Sequence, residues 1–145
     1  MSFKTWHTYG YGICTDHIGE CSIERLEKLL HKAPDLRDEI HQWMTESDIE
    51  APTWDDYMNF DQDYYLGIAT ILREVIAESE GLELTACDDF EDSKFLLFTK
   101  AHPWELKWRE KFLSEKRVAK IIGKYVRILT DQPVEIAYYE VENGG

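Results

Sequence analysis

Four residues among the first 21 have the side chains that zinc prefers. His7, Cys14, His17 and Cys21 supply two imidazoles and two thiols, which is enough for a tetrahedral site. A strand over residues 6–14 would place His7 and Cys14 on opposite faces, and the spacing lacks paired ligands at both ends. A small buried Cys14 with histidines on the surface is therefore favoured, and no metal or other cofactor is expected.

Two acidic clusters offer a different chemistry. They consist of Asp55, Asp56, Asp61 and Asp63 in one segment and of Asp88, Asp89, Glu91 and Asp92 in another. Calcium and magnesium take oxygen ligands, but the first cluster lacks the glycine and the terminal glutamate of an EF-hand loop. Solvated loops, or acids that bind a basic protein, are therefore favoured over an ion site.

The sequence contains none of the common motifs of nucleophilic or phosphate-binding chemistry. GxSxG, GxxxxGK[ST], HExxH and GxGxxG are all absent. Cys87 lies next to Asp88, whose negative charge raises the pKa of a thiol and makes it less reactive. No catalytic residue is therefore assigned, and an enzyme is the less favoured class.

Four tyrosines could form an aromatic binding face. Tyr9, Tyr11, Tyr138 and Tyr139 lie in the predicted first and last strands. A sheet that is covered by helices on one face can leave its other face open, and RNA readers stack bases on aromatic rings of such a face. Because the formal charge of −13 opposes nucleic acid binding, an exposed tyrosine face would favour a protein partner or a second copy of the chain.

The elements that position these residues follow from the periodicity of the apolar side chains. Alternation predicts strands near residues 6–14, 82–88, 94–100 and 134–141. Helical spacing predicts a pair of helices after an N-cap at Ser22, a helix that ends at Gly81 and a long helix after Trp104.

Local breaks complete this outline. Pro34 is predicted to stop the first helix and Asp35 to open the second, while residues 45–63 lose the periodicity and predict a loop. Gly10 and Gly12 share one face of the first strand. They predict a close approach of the backbone, with a strand crossing under a helix favoured over a ligand contact.

The order of these elements predicts a single α+β domain over residues 1–145, with a frayed tail at 141–145. The short connection DDFEDS can only fold back, so 82–88 and 94–100 form an antiparallel hairpin. The whole order matches the βαββαβ pattern of ferredoxin-like domains, with an antiparallel four-stranded sheet and extra helices in the first crossover.

Composition and charge limit the class of protein. Of 145 residues 43% are hydrophobic, which is enough for a packed core, and no apolar stretch suits a secretory signal or a membrane span. Three cysteines without a CxxC pair indicate reduced thiols. These features favour a cytoplasmic protein.

The charges are unevenly distributed along the chain. Sixteen basic and 29 acidic residues oppose contact with nucleic acid or anionic membranes. Between Asp38 and Glu91 the only Lys or Arg is Arg73, whereas the stretch from Lys107 to Arg127 contains eight of them. The sequence therefore predicts a polarised molecule whose acidic part binds a basic partner.

Three segments carry a resemblance to known sequences. GYGICTDHI, LTACDDF with KFLLFTKAHPWE, and ILTDQPVEIAYYEVENGG resemble small hypothetical proteins of gut Clostridia and of their phages and integrative elements. The resemblance runs over most of the chain. It implies a bacterial cytoplasmic protein of a mobile element and no catalytic residue.

Together these observations favour a non-enzymatic module that binds a basic protein. One form of it is an inhibitor, encoded on a mobile element, that imitates the charge of nucleic acid. The alternatives are a small metal-dependent enzyme and an oligomerising structural subunit that uses the tyrosine face.

Overall fold

The computed structural model describes residues 5–99 and 107–144. The strands are β1 (Thr5–Cys14), β2 (Thr85–Asp88), β3 (Lys94–Phe98) and β4 (Ala137–Gly144). The helices are α1 (Ile23–Leu30), α2 (Pro34–Glu46), α3 (Trp54–Met58), α4 (Ile68–Glu80) and α5 (Trp108–Leu129), and a 3₁₀ turn (Thr15–His17) follows β1. The chain therefore has the mixed α+β composition that the sequence predicts.

The four strands form one antiparallel sheet in the order β2-β3-β1-β4. β1 is central: Tyr11 lies opposite Phe98 of β3 and opposite Tyr138 of β4. The predicted hairpin is confirmed, since Cys87 of β2 pairs with Phe95 of β3 in antiparallel register.

Several strand boundaries differ from the prediction: β2 begins at Thr85 rather than near residue 82, β3 ends at Phe98 rather than near residue 100, and β4 spans Ala137–Gly144 rather than 134–141. Leu82 and Leu84 are buried, yet β2 begins only at Thr85. Alternating burial is thus present without ladder hydrogen bonds, and burial alone is what the sequence pattern reports. At the other end, residues 141–144 were expected to fray, but they belong to β4 and pair with β1 as far as Gly144.

The main core lies between the helices and one face of the sheet. Ile13 and Leu96 contribute from the sheet, and α5 contacts β1, α1 and α4. Fully buried helical side chains complete this core: Leu26, Leu29, Leu30, Ile40, Ile71, Leu72, Ile76 and Ile122. A smaller cluster of Cys14, Phe95, Leu97 and Val141 lies on the opposite face of the sheet.

Local chemistry sets most of the helix ends. Ser22 accepts a hydrogen bond from the Arg25 backbone N–H at 3.2 Å, which confirms it as the N-cap of α1. Gly81 ends α4 in the left-handed conformation (φ 67°), as predicted. Pro34, predicted only as a stop, is itself the first residue of α2, where its missing N–H costs nothing.

The predicted loop at 45–63 contains one short helix. Thr53 and Asp56 form a capping box at the start of α3, with Thr53 N–H donating to Asp56 Oδ2 at 2.7 Å. Trp54 and Tyr57 anchor this turn in the core. α3 therefore holds its acidic residues at the surface through two buried rings.

The glycine pair of β1 does mark a close approach, but of a neighbouring strand rather than a helix. A Cβ on Gly12 would lie 2.0 Å from the carbonyl oxygen of Leu96, and one on Gly10 would lie 2.8 Å from that of Phe98. β3 can approach β1 in this way only because both positions lack a side chain.

Candidate protein-binding surface

The four candidate zinc ligands do not converge. His7 lies on the same face of β1 as Tyr9 and contacts Glu140 at 3.0 Å, whereas Cys14 is buried on the opposite face. His17 is exposed at the end of the 3₁₀ turn, and the Cys21 thiol lies next to a backbone carbonyl. Within residues 5–99 and 107–144 no group of three His, Cys, Asp or Glu side chains is placed to hold a metal ion.

The cysteines are poor nucleophiles at neutral pH. Burial raises the pKa of all three thiols, and for Cys87 the pKa rises to about 11. Burial is the main cause at Cys87, and the charges of Asp88 and Asp89 add to it. Asp88 thus raises the pKa of Cys87, as the sequence predicts, but its contribution is smaller than that of burial.

The predicted tyrosine face is divided between the two sides of the sheet. Tyr138 lies 5.6 Å from Tyr9 and 5.0 Å from Tyr11 between ring centres, on the side that carries α5. Tyr139 points to the opposite side and contacts Phe95. Successive residues of a strand alternate between faces, so Tyr138 and Tyr139 cannot share one.

The three clustered tyrosines are also not an open platform. All three are only partly exposed, and Tyr11 packs against the main core. Burial raises the pKa of Tyr138, and the nearby carboxylate of Glu115 on α5 raises it further. This arrangement resembles the edge of a core more than a surface for stacking bases.

Asp56 and Asp89, two of the predicted acidic residues, take part in local hydrogen bonds. Asp56 closes the α3 capping box. Asp89 Oδ1 accepts hydrogen bonds from the N–H groups of Glu91 and Ser93, both at 2.9 Å, and so shapes the turn between β2 and β3. These side chains build the loops that present the other acids.

The turn between β2 and β3 presents an exposed aromatic ring among acids. Phe90 is 63% exposed. Of its two acidic neighbours, Asp89 is half-buried and Glu91 is exposed. Asp92 has a left-handed backbone (φ 63°), and its carbonyl accepts a hydrogen bond from Lys94 Nζ at 3.1 Å. We call residues 88–92 the Phe90 loop.

A second loop has the same composition. Tyr64 is 93% exposed and stands next to Asp63, with Asp61 three residues earlier. Its backbone is left-handed (φ 61°), a conformation that is rare for a bulky residue. We call residues 61–64 the Tyr64 loop.

Neighbouring residues force this conformation on Tyr64. The next ring, that of Tyr65, turns inward, and its hydroxyl donates to the carbonyl of Tyr57. The Leu66 N–H is held by Thr70 Oγ1 at 2.8 Å, directly before α4 begins. Because residues 65 and 66 are fixed, the chain reverses at Tyr64 and leaves its ring in solvent.

The Tyr64 loop lies along the acidic side of α2. Tyr64 and Asp63 border a depression of about 190 Å³ with Asp35 and Glu39, and Asp61 borders a second one with Glu39 and Glu46. Asp35, Glu39 and Glu46 were not predicted as site residues. Their spacing of four and seven residues places them on one helical stripe, which was the available signal.

Asp55 lies in a different place. It borders a cleft of about 420 Å³ with Asp16, Glu20 and Lys94, at the base of the Phe90 loop. Asp16 also accepts a hydrogen bond from the Lys94 N–H at 3.2 Å, which joins the 3₁₀ turn to this loop. Among the predicted acids, Asp61 and Asp63 therefore lie along α2, whereas Asp55 and the acids of the Phe90 loop lie beside the β2–β3 turn.

A polar cluster fixes the helices that carry the acids along α2. Glu27 of α1 accepts hydrogen bonds from Tyr57 (2.6 Å), His41 (2.6 Å) and Arg37 (3.0 Å). Its side chain is 22% exposed. Burial raises the pKa of Glu27, but the hydrogen bonds from Tyr57, His41 and Arg37 outweigh it and hold that pKa below its usual value.

Two basic residues border these regions: Arg73 lines the depression beside Tyr64, and Lys94 lines the cleft beside Asp55. Arg73, the only Lys or Arg between Asp38 and Glu91, forms an ion pair with Glu74 at 3.0 Å. Where the structure describes the side chains of α5, the exposed cations are Arg109, Lys116, Arg117, Lys120, Lys124 and Arg127. Among the described residues, Asp61, Asp63 and Glu91 form no ion pair, so their charge is directed at solvent.

Comparison of the chain with protein-family models, with curated proteins and with solved structures gave no match. No helix in the described part of the chain is long and apolar enough to cross a membrane. The Tyr64 loop and the Phe90 loop are therefore the features of the molecule that bear on its function.

Proposed function

We propose that the protein is a non-enzymatic interaction module that binds a basic protein through the Tyr64 loop and the Phe90 loop. One observation carries the proposal. Of the three large apolar side chains that are strongly exposed in the described residues, Tyr64 and Phe90 each stand among carboxylates. The third, Leu113, lies on the basic helix α5.

An aromatic ring among carboxylates suits the side chains of lysine and arginine. The carboxylates attract the cation, the ring face binds it by a cation–π interaction, and the ring edge packs on the methylene groups. Aromatic residues are enriched at the centres of protein interfaces. Charge and apolar contact thus point to the same kind of partner.

The backbone of Tyr64 supports the same proposal. A left-handed conformation at a residue with a bulky side chain costs about 1–2 kcal/mol, which glycine would avoid. The hydrogen bonds of Tyr65 and Leu66 offset this cost, but the Tyr64 ring itself, which is 93% exposed, gains no burial in the folded chain. A partner that covers the ring would supply that burial.

The proposed partner is a cytoplasmic protein with an array of lysine and arginine side chains. A nucleic-acid-binding protein has such an array, and an acidic module that occupies it would act as an inhibitor of the kind expected for a mobile element.

The strand order also supports a ferredoxin-like scaffold, because β3 separates β1 from β2 and β1 separates β3 from β4.

The test is affinity capture from a bacterial lysate with four immobilised proteins. They are the wild type, Tyr64→Gly, the pair Asp61→Asn with Asp63→Asn, and the control Leu113→Ser. Glycine is chosen at position 64 because it suits the left-handed backbone and keeps the loop intact. Captured proteins are eluted by raising NaCl from about 0.05 M to about 0.5 M and identified by mass spectrometry.

We expect the wild type and Leu113→Ser to retain the same basic proteins at low salt only. Tyr64→Gly and the double Asn variant should each lose most of that capture while remaining folded by circular dichroism. Capture that survives the double Asn change with the same salt dependence would show that the acids are merely solvated. If Tyr64→Gly still captures the same proteins, the Tyr64 ring does not contribute to binding.

A further inference from the structure

A cavity opens between α5 and the segment that leads into β4. Its volume is about 340 Å³, within the range of small-ligand sites. Ile13, Ile122 and Val126 form its floor and are buried core residues, so the cavity reaches the core. Val134 and Ile136 add further apolar side chains, whereas Arg127, Asp131 and Gln132 give the lining a polar part.

The wall of this cavity is held in place by α1. Arg25 Nη2 donates to Asp131 Oδ1 at 2.8 Å and to the carbonyl of Arg127 at 3.5 Å. The Gln132 N–H is bound by Thr130 Oγ1 at 3.1 Å. These contacts fix the segment after α5, so the cavity is formed before a ligand arrives.

Gly123 forms one lip of the cavity. A Cβ built on this residue would meet no neighbouring element within 4 Å, so the packing of the chain does not require a glycine here. Glycine inside a helix is destabilising relative to alanine. The missing side chain leaves the cavity continuous with a groove on α5 that Lys120, Lys124 and Arg127 line.

Two of these cations are available to a ligand. Lys124 forms an ion pair with Glu80 at 2.9 Å, whereas Lys120 and Arg127 form none among the described residues. Arg127 borders both the cavity and the groove. A cation therefore stands at the mouth of a cavity with an apolar floor, in a protein whose net charge is −13.

We infer that this cavity binds a small amphiphilic carboxylate. The apolar part would occupy the space above Ile13 and Ile122, and the carboxylate would lie over Gly123 against Arg127 and Lys120. Charge-assisted hydrogen bonds from a guanidinium to a carboxylate are stronger than neutral ones, which favours this orientation. The site is separate from the Tyr64 and Phe90 loops and does not depend on their function.

The experiment is an NMR titration of the ¹⁵N-labelled full chain with octanoate and, separately, with its neutral analogue octanamide. We expect saturable shifts confined to α5 and the segment before β4. Arg127→Gln should weaken octanoate binding by about tenfold and leave octanamide binding unchanged. Lys116→Gln removes the same charge from the same helix outside the cavity and should change neither affinity.

Gly123→Leu provides the steric test, because leucine favours the helix and fills the lip of the cavity. It should abolish binding of both probes while thermal unfolding shows an intact fold. Several results would overturn the inference: no saturable shift with octanoate, shifts centred elsewhere, equal losses in Arg127→Gln and Lys116→Gln, or undiminished binding by folded Gly123→Leu.

Discussion

At the scale of single residues, Tyr64 and Gly12 show opposite uses of backbone freedom. Tyr64 holds a left-handed conformation that its side chain disfavours, and its ring gains no burial in return. Gly12 lacks a side chain because the neighbouring strand occupies that space. Tyr64 is therefore relevant to binding, and Gly12 is relevant to stability.

Gly12→Ala should destabilise the fold strongly. Its Cβ would lie 2.0 Å from the Leu96 carbonyl oxygen, which is backbone and cannot move without separating β1 from β3. We expect a loss of about 3 kcal/mol, at the upper end of ordinary overpacking, measured by urea unfolding. Gly123→Ala is the matched control and should raise stability by up to about 1 kcal/mol. Equal effects of the two changes would contradict this account.

At the scale of elements, the Glu27 cluster joins α1, α2 and α3. One carboxylate receives side chains from two other helices, and it is mostly buried. Glu27→Gln removes the charge and replaces one of the two acceptor oxygens with an NH₂ donor, so part of the network loses its acceptor, which costs about 1–3 kcal/mol. Glu27→Gln should therefore loosen the base of the Tyr64 loop as well as the fold.

The pH dependence of stability tests this cluster. The pKa of Glu27 is lower in the folded chain than its ordinary value of 4.5, so the unfolded chain binds the proton more readily. Its contribution is therefore fully present above pH 4.5 and is lost as pH falls through the folded pKa. The difference in unfolding free energy between wild type and Glu27→Gln should shrink over that range. A constant difference from neutral pH to about pH 3 would contradict the assignment.

Local chemistry made much of the element outline predictable. The cap at Ser22, the end of α4 at Gly81 and the β2–β3 hairpin all depend on residues close in sequence. The candidate binding surface, in contrast, depends on residues that are distant in sequence. Glu39 meets Asp63 only through tertiary packing, and nothing in the sequence signals a left-handed backbone at a tyrosine.

At the scale of the whole molecule, basic side chains are concentrated on α5, while the rest of the chain has an excess of acids. The exposed cations of α5 face solvent on one helix, while acids dominate α2, α3 and the two loops. A net charge of −13 on 145 residues disfavours the compact state through self-repulsion. Local ion pairs such as Lys124 with Glu80 offset only part of it.

Salt should therefore stabilise the protein. Screening weakens the long-range repulsion more than the short ion pairs, so Tm should rise between about 0.02 M and about 0.3 M NaCl. The pair Asp61→Asn with Asp63→Asn should have a higher Tm at low salt and a smaller rise, by differential scanning calorimetry. A Tm that falls with salt would indicate that the ion pairs dominate.

The central position of β1 has a consequence for how the chain folds. Tyr11 pairs with Phe98 and Tyr138, so β1 cannot form its ladders until β3 and β4 have been synthesised. Closing loops of that length is entropically costly, and sheets built from such distant pairs fold slowly. During synthesis the helices and the β2–β3 hairpin can form first, while β1 is left with both edges open. A chaperone that binds extended apolar segments would find its target in that strand.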